Sequence, residues 1–440
     1  MLKTLKQYVR HYYRHGPYFQ RLSKELAKSE FQSQSWLDDY HNRQLQKIIR
    51  YCYRHIPYYR DLFRRLQLTP EDFKTKADLA KLPYLDKHLV RENYDKLIAE
   101  NKNTWLCNVG HTSGSTGTPG KFLRDPHSIN FENAALWRQW RHAGDQGDRR
   151  VTLRGDIIVP LTQDQPPFWD FNPINKELRM SSYHLSLANS KEYVTKILNF
   201  QPEILYAHPS TALLLASVFE ENSASYQFKA IFTSSETLPA DAKTYIEAVF
   251  GCSVTDWYGQ AERVVAIGHC EKGSYHIVED YSIVEMIDTE YGTELVGTHL
   301  HNYVMPLLRY RTGDYFALSE ESCVCGRTFR RVDSIQGRLT SYLITPEGYK
   351  ISILNHIPRG VNNIIETQFY QDTPGEVIIY ITANGKFTEL DRNLLIKNTL
   401  EHTSPHMKVM VQEVPFISRG PNGKFVSLVS KLDMASIAGV

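Results

Sequence analysis

The spacing of apolar positions divides the chain into three textures. Residues 1 to about 100 follow a helical repeat. Aromatics and arginines alternate at helical spacing from Tyr51 to Leu66, with a break at Pro57, and Pro83 precedes a polar helical stretch, DKHLVREN (86–93). From about 105, short β-like runs alternate with helical segments. FKAIFTSS (228–235) precedes a predicted helix over about 239–251, which opens on PADA with Pro239 in its first turn and Asp241 close behind. CSVTDWYG (252–259) follows as the next strand. Strand, helix and strand at this pitch indicate an α/β sheet with ligands at the strand ends. Beyond about 275 the pattern is strand-rich, with YSIVEMID (281–288) alternating and ELVGTHL (294–300) following a glycine-containing turn. A last segment from about 339 holds EVIIYIT (376–382), a helical TELDRNLLIKNTLEH (388–402) and KVMVQEVPF (408–416). It reads as a small α+β domain of roughly 100 residues. No internal repeat and no low-complexity tract interrupts this order.

Length adjusts the picture: 440 residues suit one large domain built of subdomains plus a smaller one. Hydrophobic residues at 42% and charged residues at 23% are ordinary for a globular chain. A formal net charge of +2 gives no global argument for nucleic acid. No apolar run is long enough to span a bilayer, and no signal peptide is evident. Met1–Lys24 holds six Lys/Arg and no acid. Two readings stand for it: a segment touching anionic lipid, with Val9, Tyr12, Tyr13 and Phe19 among its bases, or, more simply, a surface helix with a basic face. Six cysteines do not make a disulfide framework, so a reducing, cytoplasmic setting is expected.

The stretch HTSGSTGTPGK (111–121) carries the clearest chemistry. A polyphosphate needs many donors converging on a small volume. Glycines let backbone N–H groups approach, hydroxyls add donors and a lysine adds charge. The stretch is not a Walker A loop: Ser115 stands where the first glycine belongs and Phe122 where the metal-binding hydroxyl belongs. A flexible Ser/Gly linker would need neither Pro119 nor Lys121.

Four further motifs follow in order: YGQAE (258–262), RTGD (311–314), GR (337–338) and GK (423–424). With the loop, they resemble the adenylate-forming superfamily of acyl-CoA synthetases. HIPYYRDLF (55–63), LPYLDKHLVREN (82–93), AHPSTALLLA (207–216) and CVCGRTFRR (323–331) resemble its phenylacetate–CoA ligase branch. YGQAERVVAIGHCEKGSYHIVEDYSIVE (258–285) and TPEGYKIS (345–352) resemble the subgroup of capsular polysaccharide biosynthesis (CapK-like) proteins. One position departs from the superfamily: Thr340 stands where an acid usually follows the hinge arginine.

The resemblance implies an α/β fold, with a large multi-subdomain N-terminal domain (1–337) and a small mobile α+β C-terminal domain (338–440) hinged at 337–338. It implies ATP-dependent activation of a carboxylic acid as acyl-AMP, followed by transfer to coenzyme A. On the matching positions, Thr112, Ser113, Gly114, Ser115, Thr116, Gly117 and Lys121 would cradle the phosphates. Tyr258 and Gly259 would face adenine, with Ser235 and Glu236 nearby; Asp314 would bind ribose, and Arg338 ribose or phosphate. Glu262 would hold Mg²⁺, and Lys424 would stabilise the attacking carboxylate and the α-phosphate. Tyr206, His208, Ser234 and Trp257 are candidates for the acid pocket, or for packing around the nucleotide. Taken singly, Tyr258 reads as core, Asp314 as a turn residue and Glu262 as a surface acid; it is their order that makes a site. Transfer to an amine or hydroxyl, as on a sugar, and a catalytically silent scaffold remain alternatives.

Cys270, His276, Cys323 and Cys325 form a candidate structural zinc set, with His269 as an alternative ligand. Some members of the branch that this region resembles hold zinc at such residues. Cys107 and Cys252 read as ordinary core residues.

Overall fold

Serine at a helix start and proline after its end set the first long helix. Ser33 accepts the Trp36 N–H at 3.2 Å, and the helix Gln34–His55 then buries Leu37, Leu45, Ile48, Ile49 and Cys52 along one stripe. It stops at Ile56, because Pro57 opens the next helix, Pro57–Leu66. Tyr51–His55 therefore belongs to the earlier helix, and the expected break falls at the proline. Asp86 caps the short helix Lys87–Glu92 through the Leu89 N–H at 2.8 Å. Among the described residues no strand precedes Asn108.

The computed structural model describes residues 2–111, 120–289, 292–338, 342–351, 354, 357–420 and 423–432. The contacts divide the chain into two compact units: Met1–Gln146 with Thr255–Gly337, and Gly147–Val254 with Arg338–Val440.

In the first unit the strands run in the order Ser282–Thr289, Gly292–His299, Tyr310–Leu318, Arg331–Arg338, Tyr275–Ile277, Ala266–His269, Val254–Gly259. The alternation read over 281–288 and 294–300 is the antiparallel pair at one edge. The helices of residues 34–66 share a core with Phe122, Ile267, Leu295 and Tyr310.

In the second unit the parallel strands Ala230–Ser234, Ile204–Ala207, Arg150–Leu153 and Glu177–Met180 lie side by side, with Trp169–Asn172 antiparallel at the edge. The helices Ser190–Phe200, Pro209–Glu221 and Ala240–Phe250 make the connections, as the α/β pitch anticipates. Residues 338–440 form a second sheet, in the order Lys408–Glu413, Glu376–Ala383, Ile364–Gln371, Leu428–Ser430, with the helix Glu389–His402 opened by a Thr388–Asp391 capping box. Ile365 of this segment packs into the core built by Val151–Val254.

The first unit is pinned by a cluster of buried charges. Arg138 grips Asp280 through Nη1 at 2.6 Å and Nη2 at 3.1 Å, and Nη1 also donates to the Leu26 carbonyl. Glu30 receives Arg327 at 3.0 Å and His142 at 2.5 Å. Arg138, Asp280, Glu30 and Arg327 are each 6% exposed or less. A buried charge is tolerated only when paired and hydrogen-bonded. Here the pairing joins the end of the helix Pro17–Ser29, the helix Pro126–His142 and the segment around 327.

Burial raises the Glu30 pKa, but the His142 hydrogen bond and the charges of Arg138 and Arg327 outweigh it and hold the carboxyl at about 2. A depressed carboxyl pKa stabilises the fold fully above its ordinary value of 4.5, and the gain is lost as pH falls toward 2. Glu30→Gln should therefore lose about 3 kcal/mol at neutral pH in urea unfolding. The gap to wild type should close as pH falls below 4.5; a gap that stays constant would contradict the linkage.

Candidate active site

The strands that flank the glycine-rich stretch pair with each other. Strands Asn108–His111 and Lys121–Arg124 pair antiparallel, His111 opposite Lys121 and Asn108 opposite Arg124. Thr112, Ser113, Gly114, Ser115, Thr116, Gly117 and Pro119 lie outside the described residues. A Walker loop would instead lead from a strand into a helix, so the topology agrees with the failed spacing. Lys121 is exposed at the hairpin's root. Phe122, at the position of the missing hydroxyl, is 2% exposed and packs edge-on against Tyr310 with centroids 6.2 Å apart.

Arg124 leaves the same strand to donate from Nε to the Ala261 carbonyl at 3.2 Å. Burial and the neighbouring Arg263 pull its pKa down to about 10. A Cβ on Gly110 would lie 2.2 Å from this guanidinium, which would have to shift to admit a side chain there. The hairpin is thereby tied to the turn that carries Glu262.

Glu262 is 3% exposed. Its Oε1 accepts the Tyr310 hydroxyl at 2.9 Å, while its buried Oε2 meets no donor among the described residues. The Glu262 carbonyl accepts His299 Nε2–H at 2.9 Å, and His299 Nδ1 accepts the Leu307 N–H at 3.0 Å. These two bonds fix one neutral tautomer, and burial holds the His299 pKa near 4. The orphaned oxygen is thus held in place by its own hydrogen-bonded backbone.

Tyr258 and Asp314 meet directly, the phenol donating to Oδ2 at 2.6 Å. The Tyr258 ring stands edge-on to Phe316 at 5.1 Å. Asp314 follows Gly313, whose φ of +66° favours glycine and whose N–H donates to Glu294 Oε1 at 2.9 Å. Arg311 pairs with the other Glu294 oxygen at 2.6 Å. A Cβ on Gly259 would sit 3.2 Å from the Trp257 indole nitrogen. Trp257 itself is 6% exposed in a core with Phe131 and Ala266. Arg338 ends the strand Arg331–Arg338, its side chain and Thr340 both lying outside the described residues.

The second unit gathers the other candidates. Strand Ala230–Ser234 ends in Ser235, whose φ of +77° is unusual for a residue with a Cβ. Arg154 donates to Ser235 Oγ at 2.8 Å and to the Tyr206 hydroxyl, its guanidinium lying 4.5 Å over the Tyr206 ring. The Tyr206 hydroxyl is 3.4 Å from Ser234 Oγ. His208 donates from Nδ1 to the Ser234 carbonyl at 3.1 Å and accepts the Gly155 N–H at Nε2, 3.2 Å away. Both ring nitrogens are used, and burial holds its pKa near 4, so His208 is a neutral brace.

The Lys424 segment docks on this same group. Gly423 has φ +64°, and a Cβ there would be 2.2 Å from Gly155 Cα. Glu236 Oε1 accepts the Phe425 N–H at 2.7 Å, and Oε2 accepts the Ser210 N–H at 3.1 Å. One carboxylate therefore joins the first turn of the helix Pro209–Glu221 to the chain beside Lys424. The Lys424 charge is among those lowering the His208 pKa. Arg154, Tyr310, Arg124 and Gly155 carry no motif and were not found from the sequence; only Tyr310, directly before RTGD, had a neighbouring signal.

The donor atoms of Cys270, His276, Cys323 and Cys325 lie within 4.8 Å of one another. Cys270 Sγ is 3.8 Å from Cys323 Sγ, and Cys325 Sγ is 3.5 Å from His276 Nε2. His276 Nδ1 donates to the Phe329 carbonyl at 2.8 Å, which turns the Nε2 lone pair toward the thiols. Burial raises the Cys323 pKa, but hydrogen bonds from the Cys325 backbone, Ser274 and His276 outweigh it and bring the thiol to about 6. Arg327 of the buried charge cluster follows Cys325 by two residues and also pairs with Glu271 at 2.7 Å. His269 stands apart, its Nδ1 accepting the Asp256 N–H at 3.1 Å. Cys107 and Cys252 are half-buried at the edges of cores, not within them.

Comparison with known proteins adds a family context. The CapK C-terminal domain family model matches residues 343–431. The chain is 30% identical over 331 residues to Protein CapK of Staphylococcus aureus, covering 73% of each. It is 26% identical over 298 residues to the phenylacetate-coenzyme A ligase of Thermus thermophilus, covering 62% of this chain and 64% of that one. Among solved structures, 2-hydroxyisobutyryl-CoA ligase in its postadenylation state, with 2-HIB-AMP, shares the fold at a TM-score of 0.70 and 19% identity, covering 93% of this chain and 92% of that one.

The seat of the Lys424 segment is testable by itself. Gly423→Ala would force a Cβ against Gly155 in a left-handed conformation that costs about 1–2 kcal/mol. Amide exchange at Phe425 should then rise about tenfold or more. Unchanged protection there would contradict the docking described.

Proposed function

We propose that this chain, which belongs to the CapK family within the adenylate-forming, phenylacetate–CoA ligase-like enzymes, activates a carboxylic acid as acyl-AMP and passes the acyl group to a thiol, coenzyme A. The observation that carries the reading is Glu262: a buried carboxylate with one oxygen on Tyr310 and the other without a donor among the described residues, on the chain shared with the Tyr258–Asp314 pair.

In the first half-reaction a carboxylate oxygen bonds to the α-phosphorus of ATP, and the bond from that phosphorus to pyrophosphate breaks. Negative charge builds on the phosphoryl oxygens and the leaving group, so positioned cations and donors carry the catalysis. Lys424 stabilises the attacking carboxylate and the α-phosphate. Lys121 and the hydroxyl-rich loop Thr112–Gly117 hold the departing pyrophosphate. Asp314 accepts the ribose hydroxyls, Tyr258 offers adenine a flat face, and Arg338 reaches ribose or phosphate. Glu262 would hold Mg²⁺ through the unpartnered Oε2, a hard oxygen of the type that ion prefers. When bound, the ion neutralises phosphate charge. Glu236 serves as a positioning residue for Lys424, because both its oxygens are engaged by backbone amides. Tyr206, Ser234 and Arg154 are proposed to line the acid side, with His208 bracing them. Trp257 contributes through packing.

In the second half-reaction the thiol attacks the acyl carbon and AMP departs. Residues 338–440 act as the small C-terminal domain, with Gly337 as hinge. The cytoplasm is the proposed location, and surface polysaccharide biosynthesis the proposed setting. Cys270, His276, Cys323 and Cys325 are proposed to hold a structural zinc, since three thiols and one imidazole with a backbone-fixed tautomer suit that ion. It would brace the fold and take no part in the chemistry.

ATP–pyrophosphate exchange across a panel of carboxylic acids tests the central step. At least one acid should support exchange. Lys424→Ala should reduce that exchange by about 10²–10³-fold while preserving thioester formation from a supplied acyl-adenylate. Equal loss of both halves would contradict the division of labour, and silence across a broad panel would favour a binding module. Mass spectrometry of untagged protein should find about one equivalent of zinc, lost in Cys323→Ser/Cys325→Ser; less than about a tenth of an equivalent would argue against a structural site.

A further inference from the structure

We propose that the helix Leu2–His15 is an interfacial anchor that binds the chain to an anionic lipid surface. The helix is 14 residues long, about 21 Å, and its last turn holds it to the protein. His15 packs edge-on against Trp137 at 5.4 Å and against Phe19 at 5.1 Å, and Asn133 donates to the Arg14 carbonyl at 2.7 Å. The helix is thus fixed to Pro126–His142 by its last turn.

A step of 100° per residue places positions 2, 5, 8, 9 and 12 within one sector of about 120°. These are Leu2, Leu5, Tyr8, Val9 and Tyr12. Tyr8 and Val9 are each 60% exposed and Tyr12 is 62% exposed. A helix that docks by its last turn while leaving aromatics in water departs from the usual orientation of a surface helix. The adjoining sector holds positions 3, 6, 10 and 14, which are all Lys or Arg, and no acid occurs before Glu25. An apolar, tyrosine-bearing stripe bordered by a row of cations is the pattern of a helix lying in the headgroup region. The turn Thr104–Leu106 adds Trp105, 76% exposed, and Leu106, 52% exposed. Cys107, next in the chain, lies close enough to Tyr13 to act on it electrostatically. No described helix is long and apolar enough to cross a membrane, so the contact is with a surface.

The row of cations selects the occupant. A hydrophobic partner would be served by the tyrosines alone, whereas anionic headgroups answer both stripes at once. The full-length chain should co-sediment with vesicles of equal parts phosphatidylcholine and phosphatidylglycerol, and not with phosphatidylcholine alone. Added salt should weaken the binding. Lys6→Gln/Arg10→Gln should lower the partition coefficient about thirtyfold, at about fivefold per cation. Tyr8→Ser/Tyr12→Ser should lower it about tenfold. Both variants should keep the wild-type urea midpoint, as Tyr8 and Tyr12 are each at least 60% exposed. Equal binding to both vesicle types, binding to neither, or indifference to both variants would overturn the proposal. A concentration-dependent dimer abolished by Tyr8→Ser/Tyr12→Ser would overturn it in favour of a second copy of the chain.

Discussion

A carboxylate withdrawn from water must be met by donors or cations, and this chain answers that demand in two ways. Around Asp280 and Glu30 the demand is met in full: Arg138, Arg327, His142 and Ser29 surround the two carboxylates. Those pairs pin the N-terminal helices, the helix Pro126–His142 and the Cys/His cluster to one another. At Glu262 it is met by half, with Tyr310 on one oxygen and no described donor on the other. The backbone there is held from both sides by Arg124 and His299. A rigid, half-satisfied carboxylate is costly to stability, and a cation that arrives with a substrate would relieve it. The contrast separates the charges that fold the unit from the charge that the proposed chemistry uses.

The hairpin that flanks the glycine-rich stretch belongs to the same logic. Its return strand places Phe122 in the core beside Tyr310, and Arg124 on the carbonyl before Glu262. Neighbouring residues of one strand thus tie Lys121 to the turn that carries Glu262. In the second unit Glu236 and Gly155 do similar work for Lys424. Two backbone amides hold Glu236, and Gly155 leaves no room for a Cβ opposite it, which makes the seat specific to a glycine at 423.

Much of this was legible in the sequence. The switch from helical to strand periodicity near 105, the strand–helix–strand run over 228–259 and the C-terminal α+β order all read directly, because each obeys a simple period. The motifs YGQAE and RTGD located Tyr258 and Asp314, which meet, and Glu262. The strands Ile364–Gln371 and Leu428–Ser430 went unread, the first mixing polar residues into its inward face and the second being three residues long. Arg154, Tyr310 and Gly155 went unread because their roles arise from contacts across many residues of chain. The contacts group the segment 338–440 with 147–254, a partner that nothing in its period announces. Periodicity reports which face of an element is buried, but not against which partner.

The central claim is attack by a carboxylate on the α-phosphorus. It is tested most directly by turning over ATP with an acid carrying heavy oxygen in its carboxylate and weighing the products. The account predicts one labelled oxygen in AMP and none in pyrophosphate. Unlabelled AMP, or ADP accompanied by labelled phosphate, would contradict it.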